Sequence, residues 1–452
     1  MKISSVKSKF VVSQMRLDGS FHLSDGLEVR KLVSKSPYGT TEIKDVSSNI
    51  YCPGIFKRNY VKSGIPFLGG GDIQKQDLDS GKYLREKNTP NYEVLQIKKG
   101  WSLVTCGGTI GDTVFANNLL AKCWISQHVM RVIPQNIKEG MLYAYLASKY
   151  GKLLLTTNTY GSVIPTLNAS NIANLPIPRF PEYFQQEVDN LVQEAARLRE
   201  EAADALEKSK NVIIGFCGNE FKNIACAQTS NVNISSVVCS YKTRLDPPVF
   251  INRGVKWSKN FANTSRLGDL KVKMWYPGIF KRAYVKEGLP YIKGSSVFDV
   301  NPFKTCDHLS RARTPQLEEL WLKEGMLLVS CAGACGLVKI ITKEYEDKEA
   351  IGSPDIIRLE SNDSLCTTEF LYVYMQIPAV YDFMQSLKYG SVIERFDIGN
   401  LENVPIVLPT KEISGKVTQL VRKYMACTYK AFNAEEKAIL MVEQEIEKWN
   451  KH

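Results

Sequence analysis

Pro53-Gly54-Ile55-Phe56-Lys57-Arg58-Asn59-Tyr60-Val61-Lys62 returns 224 residues later as Pro277-Gly278-Ile279-Phe280-Lys281-Arg282-Ala283-Tyr284-Val285-Lys286. Tyr160-Gly161-Ser162-Val163-Ile164 returns 229 residues later as Tyr389-Gly390-Ser391-Val392-Ile393. Between and around these lie further matches. Arg16-Leu17-Asp18 corresponds to Arg244-Leu245-Asp246, and Leu103-Val104-Thr105-Cys106 to Leu328-Val329-Ser330-Cys331. Ser126 to Arg131 corresponds to Ser353 to Arg358, and Pro176-Ile177 to Pro405-Ile406. A repeat at half the length of the chain means two copies of one domain, and the small drifts in register are those of loops on a common frame.

The 452 residues are 44% hydrophobic, enough for folded cores. The formal net charge of +11 favours a polyanionic partner. Two like domains in one polypeptide give an internal pseudo-twofold, which suits duplex DNA. Eleven cysteines form no CxxC pair, Cys331 and Cys335 being the closest, and the histidines are His22, His128, His308 and His452. Neither a zinc set nor a disulfide ladder follows, so no metal and no cofactor are expected. Free thiols suggest a reducing, cytoplasmic setting. The first twenty residues lack the apolar core of a signal peptide, and no apolar run is long enough to span a bilayer.

Each copy ends in helix-forming sequence. Residues 182–210 contain no Gly or Pro, and Phe184, Val188, Leu191, Ala195, Leu198, Ala202 and Ala205 recur at spacings of four and three. Ile413, Val417, Leu420, Tyr424, Cys427, Ala431, Ala434, Ala438 and Met441 repeat the alternation. Such a seam predicts coiled-coil helices of roughly 40–55 Å. Its Ala and Cys positions allow close approach, with Val188, Leu191 and Leu198 on one helix and Val417, Leu420 and Tyr424 on the other as pairing residues. The sequence ahead of each helix reads as mixed α/β. Leu103-Val104 and Val129-Met130-Arg131-Val132-Ile133 read as strands, and Met141 to Leu155 and Thr368 to Leu387 as helices. The expected organisation is a domain over 1–181, a helix over 182–212, a connector over 213–243, a second domain over 244–409 and a second helix over 410–452.

Three stretches invite a catalytic reading. Asp246-Pro247-Pro248-Val249 is similar to the Asp-Pro-Pro-Tyr loop of adenine methyltransferases, but lacks the aromatic that stacks on a flipped base and any preceding Gly-rich cofactor loop. Pro354-Asp355 could open a nuclease carboxylate motif, yet no suitably spaced Glu-x-Lys follows. Gly107-Gly108-Thr109-Ile110-Gly111-Asp112 lacks the P-loop lysine and reads as a tight turn after a strand. The recurring Phe-Lys-Arg-x-Tyr-Val-Lys segment is more specific. Twice it places three cations and an aromatic within seven residues, the groups that grip phosphate and pack on sugar.

In order, the duplicated Arg-Leu-Asp opening, the Pro-Gly-Ile-Phe-Lys-Arg segment, the Gly-Ser-Val-Ile motif, Asn168-Ala169-Ser170-Asn171-Ile172-Ala173-Asn174-Leu175-Pro176-Ile177-Pro178 and a long helix resemble the specificity subunits of type I restriction-modification systems. The second copy carries Phe396-Asp397-Ile398-Gly399-Asn400-Leu401-Glu402-Asn403-Val404-Pro405-Ile406 at the corresponding place, with Glu394 where the first has Pro165. The resemblance spans almost the whole chain. It implies α/β (α+β) target-recognition domains in tandem repeat, joined by two long antiparallel coiled-coil helices that act as a ruler. Each domain would read half of a bipartite site in double-stranded DNA. Two methyltransferase subunits would grip the assembly, with two restriction subunits as optional members. The subunit itself would catalyse nothing.

Phosphate contacts position, whereas base contacts specify. Residues kept in both copies, namely Lys57, Arg58, Tyr60, Lys62 and Lys281, Arg282, Tyr284, Lys286, are therefore expected to hold the backbone or the fold. Tyr160, Ser162, Tyr389 and Ser391 join the candidates from the second motif. Gly69-Gly70-Gly71-Asp72-Ile73-Gln74-Lys75 faces the unlike Lys293-Gly294-Ser295-Ser296-Val297-Phe298-Asp299, so Gln74, Lys75, Lys293 and Ser295 are candidates for base reading and the half-sites should differ. The competing readings are a specificity subunit for a fused nuclease-methyltransferase, an enzyme with degenerate motifs, and a helical scaffold that binds protein.

Overall fold

The computed structural model describes residues 8, 22, 24–107, 109–157, 166–218, 231–238, 242–251 and 263–449. The chain divides into two compact units, Met1–Glu200 with Lys430–His452, and Glu201–Tyr429. The division passes through both long helices, α1 (Glu182–Cys217) and α2 (Lys411–Lys448).

The first unit contains β1 (Thr40–Glu42), β2 (Ser47–Tyr51), β3 (Ile65–Leu68), β4 (Tyr83–Leu84), β5 (Ser102–Thr105), β6 (Thr113–Phe115), β7 (Trp124–Ile125), β8 (Val129–Pro134) and β9 (Pro176–Pro178). An antiparallel sheet runs β2-β8-β5-β6. Its strand β5 is buried along its length, as the run Ser-Leu-Val-Thr bounded by polar turns requires. A smaller sheet runs β4-β3-β7, with Phe67 opposite Trp124 in a parallel pair, and β1 pairs with β9. Val104, Met130 and Val132 of the main sheet share a core with Met141, Tyr145 and Leu154.

The second unit repeats this plan with β10 (Thr264–Arg266), β11 (Val272–Trp275), β12 (Tyr284–Val285), β13 (Leu289–Ile292), β14 (Asp307–Leu309), β15 (Leu327–Ser330), β16 (Val338–Ile340), β17 (Ile351–Gly352), β18 (Ile356–Ser361) and β19 (Pro405–Val407). Its sheets run β11-β18-β15-β16, β12-β14-β13-β17 and β10-β19. The duplicated sequence thus yields a duplicated topology. It includes the parallel pair β13-β17, which matches β3-β7.

Within the domains, each of the two stretches expected to be one helix is two. Met141 to Leu155 resolves into Glu139–Ala147 and Lys149–Thr157, broken at Ser148, whose backbone is extended. The Ser148 hydroxyl accepts the Gly151 N–H at 3.1 Å and donates to the Tyr145 carbonyl at 2.6 Å. The turn is tight enough that a Cβ on Gly151 would lie 2.1 Å from the Tyr145 oxygen. In the second unit, Thr368–Tyr374 and Pro378–Ser386 are separated at extended Ile377, and Pro378 opens the second helix. Proline suits a first turn, where its missing N–H is not needed, but cannot continue a helix.

Within the first unit, α1 and the last stretch of α2 run antiparallel. Phe180, just before α1, lies 5.9 Å from the Trp449 ring, while Arg199 pairs with Glu435. Val188, Val192 and Ala196 share a core with Ala438, Val442, Ile446 and Trp449; Leu191 packs on it half-buried and Leu198 is buried. The buried Glu435 carboxylate also accepts the Tyr143 hydroxyl, and burial with this neighbouring charge holds the Tyr143 proton far above the usual tyrosine range. In the second unit Val417 is buried, Leu420 half-buried, and Tyr424 stacks on Tyr372 at 5.8 Å. Helix α1 continues past residue 212 because Ile213 and Cys217, both buried, prolong its apolar stripe, and Gly215 lies on the open side. Among the described residues no helix is long and apolar enough to cross a membrane.

Candidate nucleic-acid interface

Antiparallel pairing decides where the recurring segments go. Strands β2 and β5 end where β8 and β6 begin, so three connections meet at the same edge of the first unit's main sheet. These are the basic segment after Tyr51, the glycine turn that runs from Thr105 to Asp112 before β6, and Gln127-His128 before β8. The contacts agree. Cys52 Sγ lies 3.4 Å from Cys106 Sγ and donates to the Val129 carbonyl at 3.3 Å, and the Cys106 N–H donates to the His128 carbonyl at 2.9 Å. The Leu167 N–H bonds the Cys106 carbonyl at 3.3 Å. Tyr160 and Ser162 lie outside the described residues.

Pro53 is buried and Phe56 half-buried against Phe67 at 6.0 Å, which anchors the basic segment at two points. Lys57, Arg58, Tyr60 and Lys62 are exposed, with the Arg58 guanidinium over the Phe67 ring at 5.6 Å. An arginine face on an aromatic keeps its remaining N–H groups free to point outward. Gln74 ends a short 3-10 turn, Asp72–Gln74, and its amide donates to Asp112 at 3.3 Å; Lys152 binds the other Asp112 oxygen at 2.7 Å. Gln74 therefore buttresses the glycine turn, and Lys75 is half-buried beside it.

In the second unit the same edge carries Tyr276 to Lys286 after β11, the turn Ala332 to Gly336 after β15, and Ser353 to Asp355 before β18. Lys281, Arg282, Tyr284 and Lys286 are exposed. Arg282 Nε donates to the Tyr291 hydroxyl at 2.8 Å, which raises the guanidinium pKa further. Lys293 pairs with Asp307 at 2.6 Å, and Ser295 is exposed.

The Tyr389 motif forms a closed turn, with Tyr389 and Arg395 exchanging backbone hydrogen bonds of 3.0 and 2.7 Å. Gly390 has φ +100°, and a Cβ there would lie 2.5 Å from the Ile393 carbonyl. The Glu394 carbonyl accepts the Gly333 N–H at 3.2 Å, and the Phe396 N–H donates to the Cys331 carbonyl at 2.9 Å. Two motifs far apart in sequence thus meet, the glycine turn and the Gly-Ser-Val-Ile loop. Ser391 is exposed at the tip of the loop, while Tyr389 is half-buried and donates to Asp397 at 3.1 Å.

Beneath each edge lies one buried arginine that periodicity alone does not assign. Arg131 and Arg358 are fully buried. Arg131 donates to the carbonyls of Ser126 at 2.9 Å and Val129 at 2.6 Å, and also to that of Ile125. Arg358 donates to Ser353 at 2.9 Å, Ile356 at 2.6 Å and Gly352 at 2.8 Å. Burial pushes both down to about 10, which leaves them charged at neutral pH. Each guanidinium ties together the turn that enters β8 or β18. The available signal was a lone cation recurring in an otherwise apolar strand.

The stretches that invited catalytic readings have structural partners. Asp246 accepts Arg244 Nε at 2.7 Å, and the same guanidinium bonds the Leu387 carbonyl at 2.7 Å. Asp355 bonds its own turn through Ser353. Among the described residues no three His, Cys, Asp or Glu converge as metal ligands.

A family model for the Type I restriction modification DNA specificity domain matches residues 35–189 and 277–437. The chain belongs to this family. It is a DNA specificity subunit of a type I restriction-modification system, with two specificity domains in tandem, and is not itself an enzyme. Solved structures similar to this specificity subunit include the S subunit of the type I restriction-modification system from M. genitalium, at 12% identity over 92% of this chain and 96% of that one, with TM-score 0.39. Another is the HsdS subunit from Thermoanaerobacter tengcongensis, at 13% identity over 91% and 99%, with TM-score 0.28. No curated protein matches the chain.

Proposed function

We propose that each domain of this specificity subunit reads one half of a bipartite, asymmetric site in double-stranded DNA. The edge of the main sheet would be the reading surface. One observation carries the reading: the same basic segment and glycine turn leave the same sheet edge in both units, while the segments at 69–75 and 293–299 differ. The repeated Lys57, Arg58, Tyr60 and Lys62, with Lys281, Arg282, Tyr284 and Lys286, would grip phosphate and sugar. Gln74, Lys75, Lys293 and Ser295 would face bases, with the Gln74 amide also held by Asp112 of the glycine turn. Ser391 would sit beside them and Tyr389 would brace that loop; Ser162 and Tyr160, their sequence counterparts, are proposed to serve DNA binding in the first domain.

The lengths of α1 and α2 would set the unread spacer. Two methyltransferase subunits, joined by two restriction subunits where these exist, would complete the assembly in the cytoplasm. The test is co-expression of the tagged chain with its genomic neighbours and methylome sequencing of the host. A co-purifying methyltransferase and a bipartite methylated motif that vanishes on deletion support the reading. No lost motif refutes it. Selection of a perfect inverted repeat from random duplexes would refute the asymmetric half-sites.

A further inference from the structure

Among the large apolar side chains of the described residues, Ile279 (94% exposed), Val392 (93%) and Ile55 (90%) are the barest. Scattered surface isoleucines are common and need no purpose. These two differ because they occupy the same place in both copies of the basic segment, and because the backbone around them is fixed. The preceding Pro53 and Pro277 are buried, and the following Phe56 and Phe280 pack half-buried on neighbouring cores. Between two anchors the chain rises to an exposed Gly-Ile pair. A Cβ on Gly54 would meet nothing within 4 Å. The next residues outward are the exposed cations Lys57-Arg58 and Lys281-Arg282.

We infer that Ile55 and Ile279 are apolar wedges that press into a groove of the duplex whose phosphates the adjoining lysine–arginine pairs hold. The inference rests on the DNA reading proposed above. The occupant follows from charge: the cations two and three residues on have Cα atoms no more than about 7–10 Å from that of each isoleucine, so a phosphate they hold lies close beside it. From there a groove edge is within reach. Because the residue is the same in both domains while the half-sites are proposed to differ, its contact does not depend on sequence. An aliphatic side chain against sugar and base faces, loosening a base step, is such a contact. It adds affinity through apolar burial and leaves the electrostatic part of binding untouched.

The test uses the full chain and a labelled duplex of mixed sequence, titrated across a range of salt. Ile55→Ser and Ile279→Ser should each weaken binding roughly tenfold. The log–log salt slope should stay that of the unaltered chain. Ile55→Met should retain most of the affinity. Lys57→Ala should instead reduce the slope by about one. Duplexes carrying 2-aminopurine should brighten on binding the unaltered chain and less so with the double serine variant.

Serine variants that bind with unaltered affinity overturn the wedge. Serine variants that bind DNA normally but no longer retain a methyltransferase subunit also overturn it, since a protein then covers the isoleucines. If the unaltered chain shows no salt-dependent binding, the DNA reading of this surface fails, and the wedge with it.

Discussion

Replacing Glu435 by alanine removes the acceptor shared by Arg199 and the Tyr143 hydroxyl. Breaking a buried ion pair from one side costs about 3–5 kcal/mol, because the remaining charge stays desolvated. Arg199 keeps 22% of its side chain exposed, so water recovers part of that and about 2–4 kcal/mol remains. The stranded hydroxyl of fully buried Tyr143 adds about 1–3 kcal/mol, less than additively. We expect a loss of roughly 3–5 kcal/mol in the first unit.

A chain of two units does not unfold in one step, so hydrogen exchange resolved by peptide is the right assay. Peptides containing Tyr143 and Val188 should exchange a hundredfold or more faster, on the order of 10²–10⁴. Peptides from 327–361 should be unchanged. Arg199→Met with Glu435→Met removes both charges and should recover most of the loss. If Glu435→Ala alters exchange around Tyr143 by less than about threefold, under ~1 kcal/mol, the cluster does not stabilise the unit as argued.

Lys281→Ala and Arg282→Ala should weaken binding to all duplexes alike and lower the salt slope by about one each, read by fluorescence anisotropy. Gly390→Ala forces a Cβ against the Ile393 carbonyl at positive φ and should cost about 1–3 kcal/mol locally, seen as faster proteolysis between 389 and 395. Burial lifts the thiols of Cys123 and Cys331 to about 11 and of Cys217 and Cys366 to about 12, from an ordinary 9.0. A raised acid pKa stabilises the fold below the unfolded value and ceases to do so as pH climbs through the folded one. Stability should therefore fall between pH 9 and 12 in urea melts, less steeply in Cys366→Ala. Inserting about four residues into both α1 and α2, roughly one turn, should lengthen the unread spacer in the methylated motif and leave its half-sites unchanged.

The duplicated architecture was legible because repeats declare themselves without reference to distance. The basic segment and glycine turn could each be picked out as candidates. That they leave one sheet edge depends on antiparallel pairing between residues as far apart as Tyr51 and Arg131, which no local pattern encodes. Gln74 was picked as a base reader by residue type; the bond its amide makes to Asp112, a partner 38 positions away, could not be read from that type. The apolar run from Met141 hid its break at Ser148, where a hydroxyl bond outweighs propensity, whereas Pro378 gave open notice of the equivalent break. Arg131 and Arg358 read as interruptions of a strand pattern until their carbonyl partners were visible.

The first unit draws Ala438, Val442, Ile446 and Trp449 into a core otherwise built before residue 200. Synthesis on a ribosome proceeds from the other end. The second unit, continuous from Glu201 to Tyr429, has all its residues in hand while the first still waits for its closing helix. The domain translated first is thus completed last. A message cut short before residue 430 yields a chain whose opening domain has a bare apolar face, the kind of surface that invites aggregation and proteolysis.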